Sequence, residues 1–180
     1  MEKILKNVGL SEVFKVAGFE FIKFHEKDGT TVAVAKDSWF DSTFGDNNNF
    51  ATSKILKRLQ EEFLPQLEAV IGAENIMEHE VDLLSLDGSD KWGKINTKIS
   101  LPTFDFYRHN VKIFDEHKLA AWWWLATSDC VSEHVGHDYY VSSVSPQGFM
   151  SFNNSNNDGI GVRPFLIFVS SISVSCESEE

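Results

Sequence analysis

The Asp28-Gly29 pair constrains the fold more than any other part of this chain, because it separates two runs of β-prone residues. Both central residues of a type I′ turn need a positive φ, which Asp tolerates and Gly adopts freely. Aromatic and apolar residues precede the pair, and Thr-Val-Ala-Val-Ala follows it. The pattern predicts an antiparallel hairpin with strands over 19–26 and 31–36.

The segment before this hairpin has a helical pattern. Residues 1–17 carry Ile4, Leu5 and Val8 on one side of a helical projection, and Gly18 ends the pattern. We therefore expect a short amphipathic helix or an extension at the N-terminus.

A longer helical stripe follows the hairpin. Thr52 or Ser53 can cap it, and the apolar residues after them recur at the spacing of one buried helix face. Pro65 has no N–H to donate, so the helix is expected to stop or restart there. A second short helix is expected to end at Gly72, and a third to start at Thr103.

Strand-like runs dominate the second half of the chain. They lie at 121–127, 138–144, 148–152 and 160–169. This order of elements predicts an α+β fold, with an antiparallel, loop-rich sheet and two or three short helices. We expect 18–170 to form a single globular domain and 171–180 to be a frayed acidic tail.

Charge and composition exclude several classes of protein. With 16 basic and 27 acidic residues, the formal net charge is −11, which argues against a general nucleic-acid binder. No apolar run reaches the length of about 18 residues that a membrane-spanning helix needs. The N-terminus lacks the apolar core of a signal peptide, and the two cysteines, Cys130 and Cys176, suit a reducing compartment. The expected location is the cytoplasm of a bacterial host.

Motifs for catalysis or metal binding are weak. His134 and His137 have the spacing of a ligand pair, but no third ligand is evident, and Asp87 to Asp90 is too short for a calcium loop. The sequence contains no GxSxG motif, P-loop or GxGxxG motif. We therefore expect a protein that is not an enzyme and that has no catalytic residue, no cofactor and no metal.

Acidic residues crowd into the stretch from 61 to 90. Such a stretch is either a solvated surface or a face that attracts a basic partner. The residues assigned to partner binding on this ground are Glu61, Glu62, Glu74, Glu78, Asp87 and Asp90.

The second half also carries a distinctive series of motifs. Residues 123–128 read Trp-Trp-Leu-Ala-Thr-Ser, and Tyr140-Val141, Gly148 and the Gly-Val-Arg-Pro of 161–164 follow. The series resembles the signature of an uncharacterised domain family of Firmicutes phages, prophages and related bacterial proteins. More remotely, it resembles the C-type-lectin-like fold shared with sulfatase-modifying enzymes. Ala126 stands where Arg is common in that signature.

The resemblance singles out Trp122, Trp124, Arg163 and Pro164 as structural signature residues. In a strand, Trp122 and Trp124 share one face and Trp123 takes the other, and we expect at least two of the three to fill the core. Arg163 precedes a proline and is therefore extended, and its guanidinium is expected to brace a carboxylate or a loop carbonyl. The alternatives are a stacking platform for the tryptophans and a ligand contact for the arginine.

The resemblance and the charge together imply a function. The leading hypothesis is a phage- or prophage-encoded, non-catalytic binding protein whose acidic face targets a host macromolecule. Its most concrete version is an anti-CRISPR type inhibitor of a basic, nucleic-acid-binding host nuclease, with no direct contact to nucleic acid or membrane. The alternative is a C-type-lectin-like recognition module for a cell-surface glycan or protein. A degenerate oxygenase-type enzyme is the third hypothesis. For the lectin-like alternative, the relevant loop residues are Asn153, Asn154, Asn156 and Asp158.

Overall fold

The computed structural model describes residues 2–131 and 138–176 and shows an α+β fold dominated by antiparallel sheets. The predicted α+β class is therefore confirmed. In chain order the elements are β1 Glu2–Ile4, β2 Val13–Val16, β3 Phe19–Lys27, β4 Thr30–Ala35, β5 Phe40–Asp41, α1 Lys54–Arg58, α2 Leu64–Ile71, β6 His79–Asp82, β7 Lys94–Thr97, β8 Ile99–Ser100, α3 Phe104–His109, α4 Val111–Glu116, β9 Trp123–Ser128, β10 Tyr140–Val144, β11 Met150–Asn154, β12 Gly161–Val162, β13 Phe165–Val169 and β14 Ser173–Ser175.

The larger sheet has seven strands in the order β1-β14-β2-β3-β4-β13-β8. Its centre is the predicted hairpin, whose strands β3 and β4 end within one residue of the predicted bounds. Asp28 and Gly29 have φ values of 51° and 77°, as the type I′ turn requires. The Asp-Gly turn thus determines how the two central strands of the larger sheet, β3 and β4, pair with each other.

Of the two forms expected for 1–17, an amphipathic helix or an extension, the structure shows no α-helix over the described residues 2–17. This segment instead contributes β1, a 3₁₀ turn over Leu5–Asn7 and β2 to the sheet. Lys23, which is buried in β3, donates from Nζ to the carbonyls of Leu5 (3.0 Å) and Lys6 (3.2 Å) and forms an ion pair with Glu26. A short isolated helix is only marginally stable, so these tertiary bonds outweigh the helical pattern.

The predicted frayed tail is also partly ordered. Strand β14 lies between β1 and β2, with Ser175 opposite both Glu2 and Lys15. The expectation of fraying is therefore wrong for 173–175. Residues 177–180 lie outside the described part of the chain.

The helix after the hairpin runs over 54–71 without stopping at Pro65. Ser53 caps its start, because Ser53 Oγ accepts a 3.0 Å hydrogen bond from the Leu56 N–H. A π-helical segment over Leu59–Phe63 joins α1 to α2 just before the proline. The wider turn accommodates a residue that has no N–H and that crowds the preceding turn, so the helix continues. It ends at Gly72, which has a positive φ, as predicted.

The second sheet has the order β11-β10-β9-β12-β5, and a third sheet consists of β6 and β7 alone. The strand predicted over 160–169 is divided at Arg163-Pro164, so that β12 belongs to the second sheet and β13 to the first. Gly161 allows a close approach at this crossing, because a Cβ there would overlap the Ser38 hydroxyl. Its N–H donates to the Trp122 carbonyl at 2.8 Å.

Arg163 is buried at the crossing and braces two backbone carbonyls, one of them in a loop, as predicted. Its Nε donates to the Ala35 carbonyl at 2.6 Å, and a terminal amino group donates to the His117 carbonyl at 3.3 Å. The guanidinium also lies over the rings of Trp123 and Phe114, 5.2 and 5.3 Å from their centroids. Burial lowers the pKa of Arg163 to about 10, so it stays charged at neutral pH.

Two apolar clusters cover the two faces of the larger sheet. One contains Phe21, Phe168 and Trp124, and the other contains Phe24, Phe114 and Trp123. Strand β9 thus contributes adjacent tryptophans to different clusters, which confirms that at least two of the three indoles fill the core. Trp122 precedes the strand and is 36% exposed.

Among the described residues, no helix is both long and apolar enough to cross a membrane.

The burial of Trp124 generates a stability prediction. Its side chain is fully buried, and its Nε1 donates to the Ser42 carbonyl at 2.9 Å. Trp124→Ala should lower the free energy of unfolding by about 3–5 kcal/mol, because it leaves a cavity and an unpaired carbonyl. The measurement is urea unfolding, with the partly exposed Trp122→Ala as a control that should cost about 1 kcal/mol or less. Equal losses for the two variants would contradict the core assignment.

Candidate functional site

A cleft of about 570 Å³ opens between the β6–β7 hairpin and helix α3, and we call it the β6 cleft. Strand β6 and the loop after it form one wall, and residues 103–108 form the other. The floor consists of Ser100, Leu101, Thr127, Phe165 and Ile167. The volume lies within the range typical of small-ligand and side-chain pockets.

Local sequence explains how α3 comes to form its wall. Thr103 Oγ1 accepts a 3.2 Å hydrogen bond from the Phe106 N–H and caps the helix, as predicted. The Phe104 N–H donates to Thr127 Oγ1 on β9 at 2.9 Å, which fixes the first turn against the floor. The wall is therefore anchored before any ligand arrives.

Aromatic rings from the floor and from both walls surround one polar pair, in which Ser100 is buried and His79 is half-buried. The Phe165 ring lies 5.0 Å from the rings of both Phe106 and His79, measured between centroids. His79 Nε2 lies 2.9 Å from Ser100 Oγ, within hydrogen-bonding distance. Burial lowers the pKa of His79, and the nearby Met77 carbonyl offsets this only in part. The imidazole is therefore neutral at pH 7, and the floor carries no charge.

The Ser100–His79 pair has two parts of a nucleophilic site, and the described residues do not supply the third. His79 Nδ1 is buried and has no well-aligned hydrogen-bond partner among the described residues, so no carboxylate orients the ring. Ser100 is itself 1% exposed and lies within β8. The arrangement is better suited to contacting a bound group than to attacking one.

Charged residues lie along the open side of the cleft. Glu80 and Asp82 on β6 share one cation, Lys94, whose Nζ is 2.7 and 3.7 Å from their carboxylate oxygens. On the other wall, Asp105 pairs with Arg108 at 2.9 Å. Three carboxylates therefore face two cations, and all five side chains are more than half exposed. The rim has a net negative charge.

The residues predicted to bind a partner through an acidic face are all exposed, but they lie on several elements. Glu61 and Glu62 are in the π-helical segment, Glu74 is in a 3₁₀ turn after α2, and Glu78 directly precedes β6. Glu62 forms an ion pair with Arg58 at 2.8 Å. The stretch is thus partly neutralised by its own neighbours.

Asp87 and Asp90 lie in the loop between β6 and β7. Hydrogen bonds from the side chains of Cys130 and Ser85 hold the pKa of Asp87 well below its usual value, and the Ser89 and Val131 N–H groups also donate to it. This carboxylate therefore ties the loop to the end of β9. A partner would have to compete with those bonds for Asp87.

The predicted asparagine loop begins within β11, whose last residues are Asn153 and Asn154, and hydrogen bonds of the asparagine side chains organise it. Asn153 Nδ2 donates to Ser143 Oγ at 2.8 Å, and Asn153 Oδ1 accepts from Asn157 Nδ2 at 3.2 Å. Asn154 Oδ1 accepts from the Asn156 N–H at 3.0 Å, while Asp158 is exposed. The loop lies beside Phe152, which is 53% exposed and packs edge-on against Tyr140.

The predicted histidine pair, His134 and His137, lies outside the described residues. Within 2–131 and 138–176, no group of three or more His, Cys, Asp or Glu side chains is arranged to hold a metal ion.

The comparisons with known proteins add no assignment. Searches with protein-family models, curated proteins and solved structures find no match for this chain. The resemblance to a phage and prophage family thus stays a prediction.

Sequence reasoning missed the residues that form the β6 cleft. The strand His79–Asp82 alternates half-buried and buried residues with exposed acids, which is a period-two signal, but four residues are a short run. Ser100, Phe104 and Phe165 come from three separate segments. Only the tertiary structure brings them together in one cleft.

The half-buried His79 makes the free energy of unfolding depend on pH. Because its pKa is lowered in the folded state, the unfolded chain binds more protons below the ordinary histidine value of about 6.5. The contribution of the neutral His79 to the free energy of unfolding should be fully present above about pH 6.5 and should decrease as the pH drops below that value. His79→Gln should remove this part of the pH dependence, measured by urea unfolding between pH 7.5 and 5. An unchanged slope in His79→Gln would contradict the assignment.

Metal removal provides a second check on the site. We expect EDTA to leave the melting temperature unchanged, since the described residues provide no closed coordination sphere. The measurement is a thermal melt with and without chelator. A drop of several degrees that zinc or calcium restores would contradict the expectation and direct attention to His134 and His137.

Proposed function

We propose that this protein is a non-catalytic binding protein that holds part of a basic partner protein in the β6 cleft. The observation that carries the proposal is the cleft itself. Its volume is typical of ligand sites, its interior is uncharged and contains the aromatic rings of Phe104, Phe106 and Phe165, and its rim has a net negative charge. An apolar floor supplies burial, and polar groups at the edge set orientation.

Charge supports a basic partner. The formal net charge of −11 favours encounter with a positively charged surface, and the unbalanced carboxylates of the rim meet that surface at close range. Removing such rim charges changes mainly the rate of association.

The phage or prophage origin is part of the same proposal, and it rests on the signature of 123–128 and 161–164. An inhibitor of a host defence nuclease, of the anti-CRISPR kind, would use an acidic surface to occupy a channel that normally binds phosphates. A basic nuclease is the most concrete partner that this reasoning offers.

A second candidate has its own observation. The exposed Phe152 beside Tyr140 and the asparagine loop combine an aromatic face with amide and carboxylate groups, which suits the stacking and hydrogen bonding of a sugar. This supports the C-type-lectin-like alternative, a recognition module for a cell-surface glycan or protein.

The test compares two double variants that remove the same charge. Glu80→Gln with Asp82→Asn neutralises the rim, and Glu61→Gln with Glu62→Gln neutralises exposed acids outside the cleft. Proteins captured from a bacterial host lysate are identified, and the association rate of a captured basic protein is measured at low and high salt, with circular dichroism as a check of folding.

The rim variant should slow association by about fivefold or more, while the control should change it less than about twofold. Salt should slow the wild type, since charges are screened over about 8–10 Å. If only the Glu61 and Glu62 variant showed a slower association rate, the binding site would be on the 54–71 helix and not in the β6 cleft. Capture of glycans that Phe152→Ala abolishes would favour the lectin-like candidate instead.

A further inference from the structure

The outer edge of β6 is open to the cleft. All four residues of β6 line the cleft, although their side chains alternate between two faces, and no residue of β7 does. The edge of β6 that is not paired with β7, rather than one of its side-chain faces, therefore borders the cleft. A strand edge carries unpaired N–H and C=O groups that readily accept another strand.

The register identifies which backbone groups point into the cleft. Opposite pairs run from His79 with Thr97 to Asp82 with Lys94, and the Leu83 N–H donates to the Gly93 carbonyl at 3.0 Å just beyond them. In an antiparallel pair, hydrogen-bonded and non-hydrogen-bonded positions alternate. Glu80 and Asp82 are therefore at non-hydrogen-bonded positions, and their backbone groups face away from β7.

The two side-chain faces of β6 differ in chemistry. Glu80 and Asp82 are exposed on one face, whereas Val81 is 3% exposed and His79 is half-buried on the other, above Phe165. A strand added beside β6 would present alternate side chains to these two environments. One set would meet two carboxylates that share a single lysine, and the other would meet the aromatic floor.

We propose that the β6 cleft binds an extended peptide segment, with alternating basic and large apolar residues, as an added strand on the outer edge of β6. The backbone N–H and C=O groups of Glu80 and Asp82 hydrogen-bond to the segment, its basic residues lie beside the two carboxylates, and its apolar residues cover Phe165 and Phe106. This is recognition by β-strand addition, in which the backbone supplies affinity and the pockets supply selectivity. The inference rests on the proposed function and adds the binding mode and the class of segment.

The probe is the synthetic peptide acetyl-Lys-Leu-Lys-Leu-Lys-amide, with acetyl-Glu-Leu-Glu-Leu-Glu-amide as the charge control. Two further peptides carry N-methyl groups, one at the Lys positions and one at the Leu positions. In strand addition only alternate N–H groups of the peptide face β6, so one methylated peptide should lose binding by at least about tenfold and the other should not. Affinity is measured by calorimetry or fluorescence.

The matched protein variants are Glu80→Pro and Glu80→Ala. Both remove the carboxylate, but only proline removes the outward N–H, and an edge strand tolerates proline at an outward position. Glu80→Pro should bind the lysine peptide at least about fivefold more weakly than Glu80→Ala. Amide exchange at Asp82 should slow when the peptide binds. Circular dichroism checks that both variants fold.

The outcomes separate the two proposals. Strand addition would be overturned if the two methylated peptides bound with equal affinity, or if Glu80→Pro and Glu80→Ala lost equal affinity for the lysine peptide. Either result would leave the proposal that the cleft binds a basic partner intact. No binding of the lysine peptide, with a partner captured through Glu80 and Asp82, would also overturn strand addition alone. A partner that binds independently of the rim would overturn the proposed function.

Discussion

The buried guanidinium of Arg163 holds the two main sheets in their relative positions. It lies where the chain crosses from β12 to β13, and it bonds to carbonyls at the end of β4 and just after α4. A cation without acceptors at this depth would be very costly, so the surrounding segments must converge on it. The aromatic rings on either side, Trp123 and Phe114, add favourable contact with the charge. The Arg163-Pro164 sequence at this crossing thus has a structural explanation that needs no ligand.

Strand β13, which leaves this crossing, also supports the cleft. Its outer edge pairs first with β8 at Phe165 and Leu166, and further along with Ile76 and Met77. The segment between these two attachments contains the β6–β7 hairpin. The residues before and after the β6–β7 hairpin therefore both pair with the same strand, β13. This explains how a two-stranded sheet, which is marginal when isolated, keeps a fixed position opposite α3.

Local chemistry decides which parts of this structure are readable in the sequence. Asp28-Gly29, the Ser53 and Thr103 caps and the Gly72 terminus act within a few residues, and each was predictable. The strands β1 and β14 depend on each other across the whole chain and carry no comparable signal. The His79–Ser100 pair is joined by a hydrogen bond between different elements, so neither residue could be distinguished from an ordinary polar residue. The cleft was missed for the same reason, whereas the acidic character of its rim was predictable from composition.

The position of β14 between β1 and β2 has a consequence for synthesis on the ribosome. The strands β1 and β2 are made first, but the strand that lies between them is among the last described residues to emerge. The larger sheet therefore cannot be completed until β14 has left the ribosome. Its central hairpin and the 54–71 helix can form early. Strand β1, in contrast, pairs with β14, which lies about 170 residues later in the chain. The edges of β1 and β2 are thus unpaired in the nascent chain until β14 has been made.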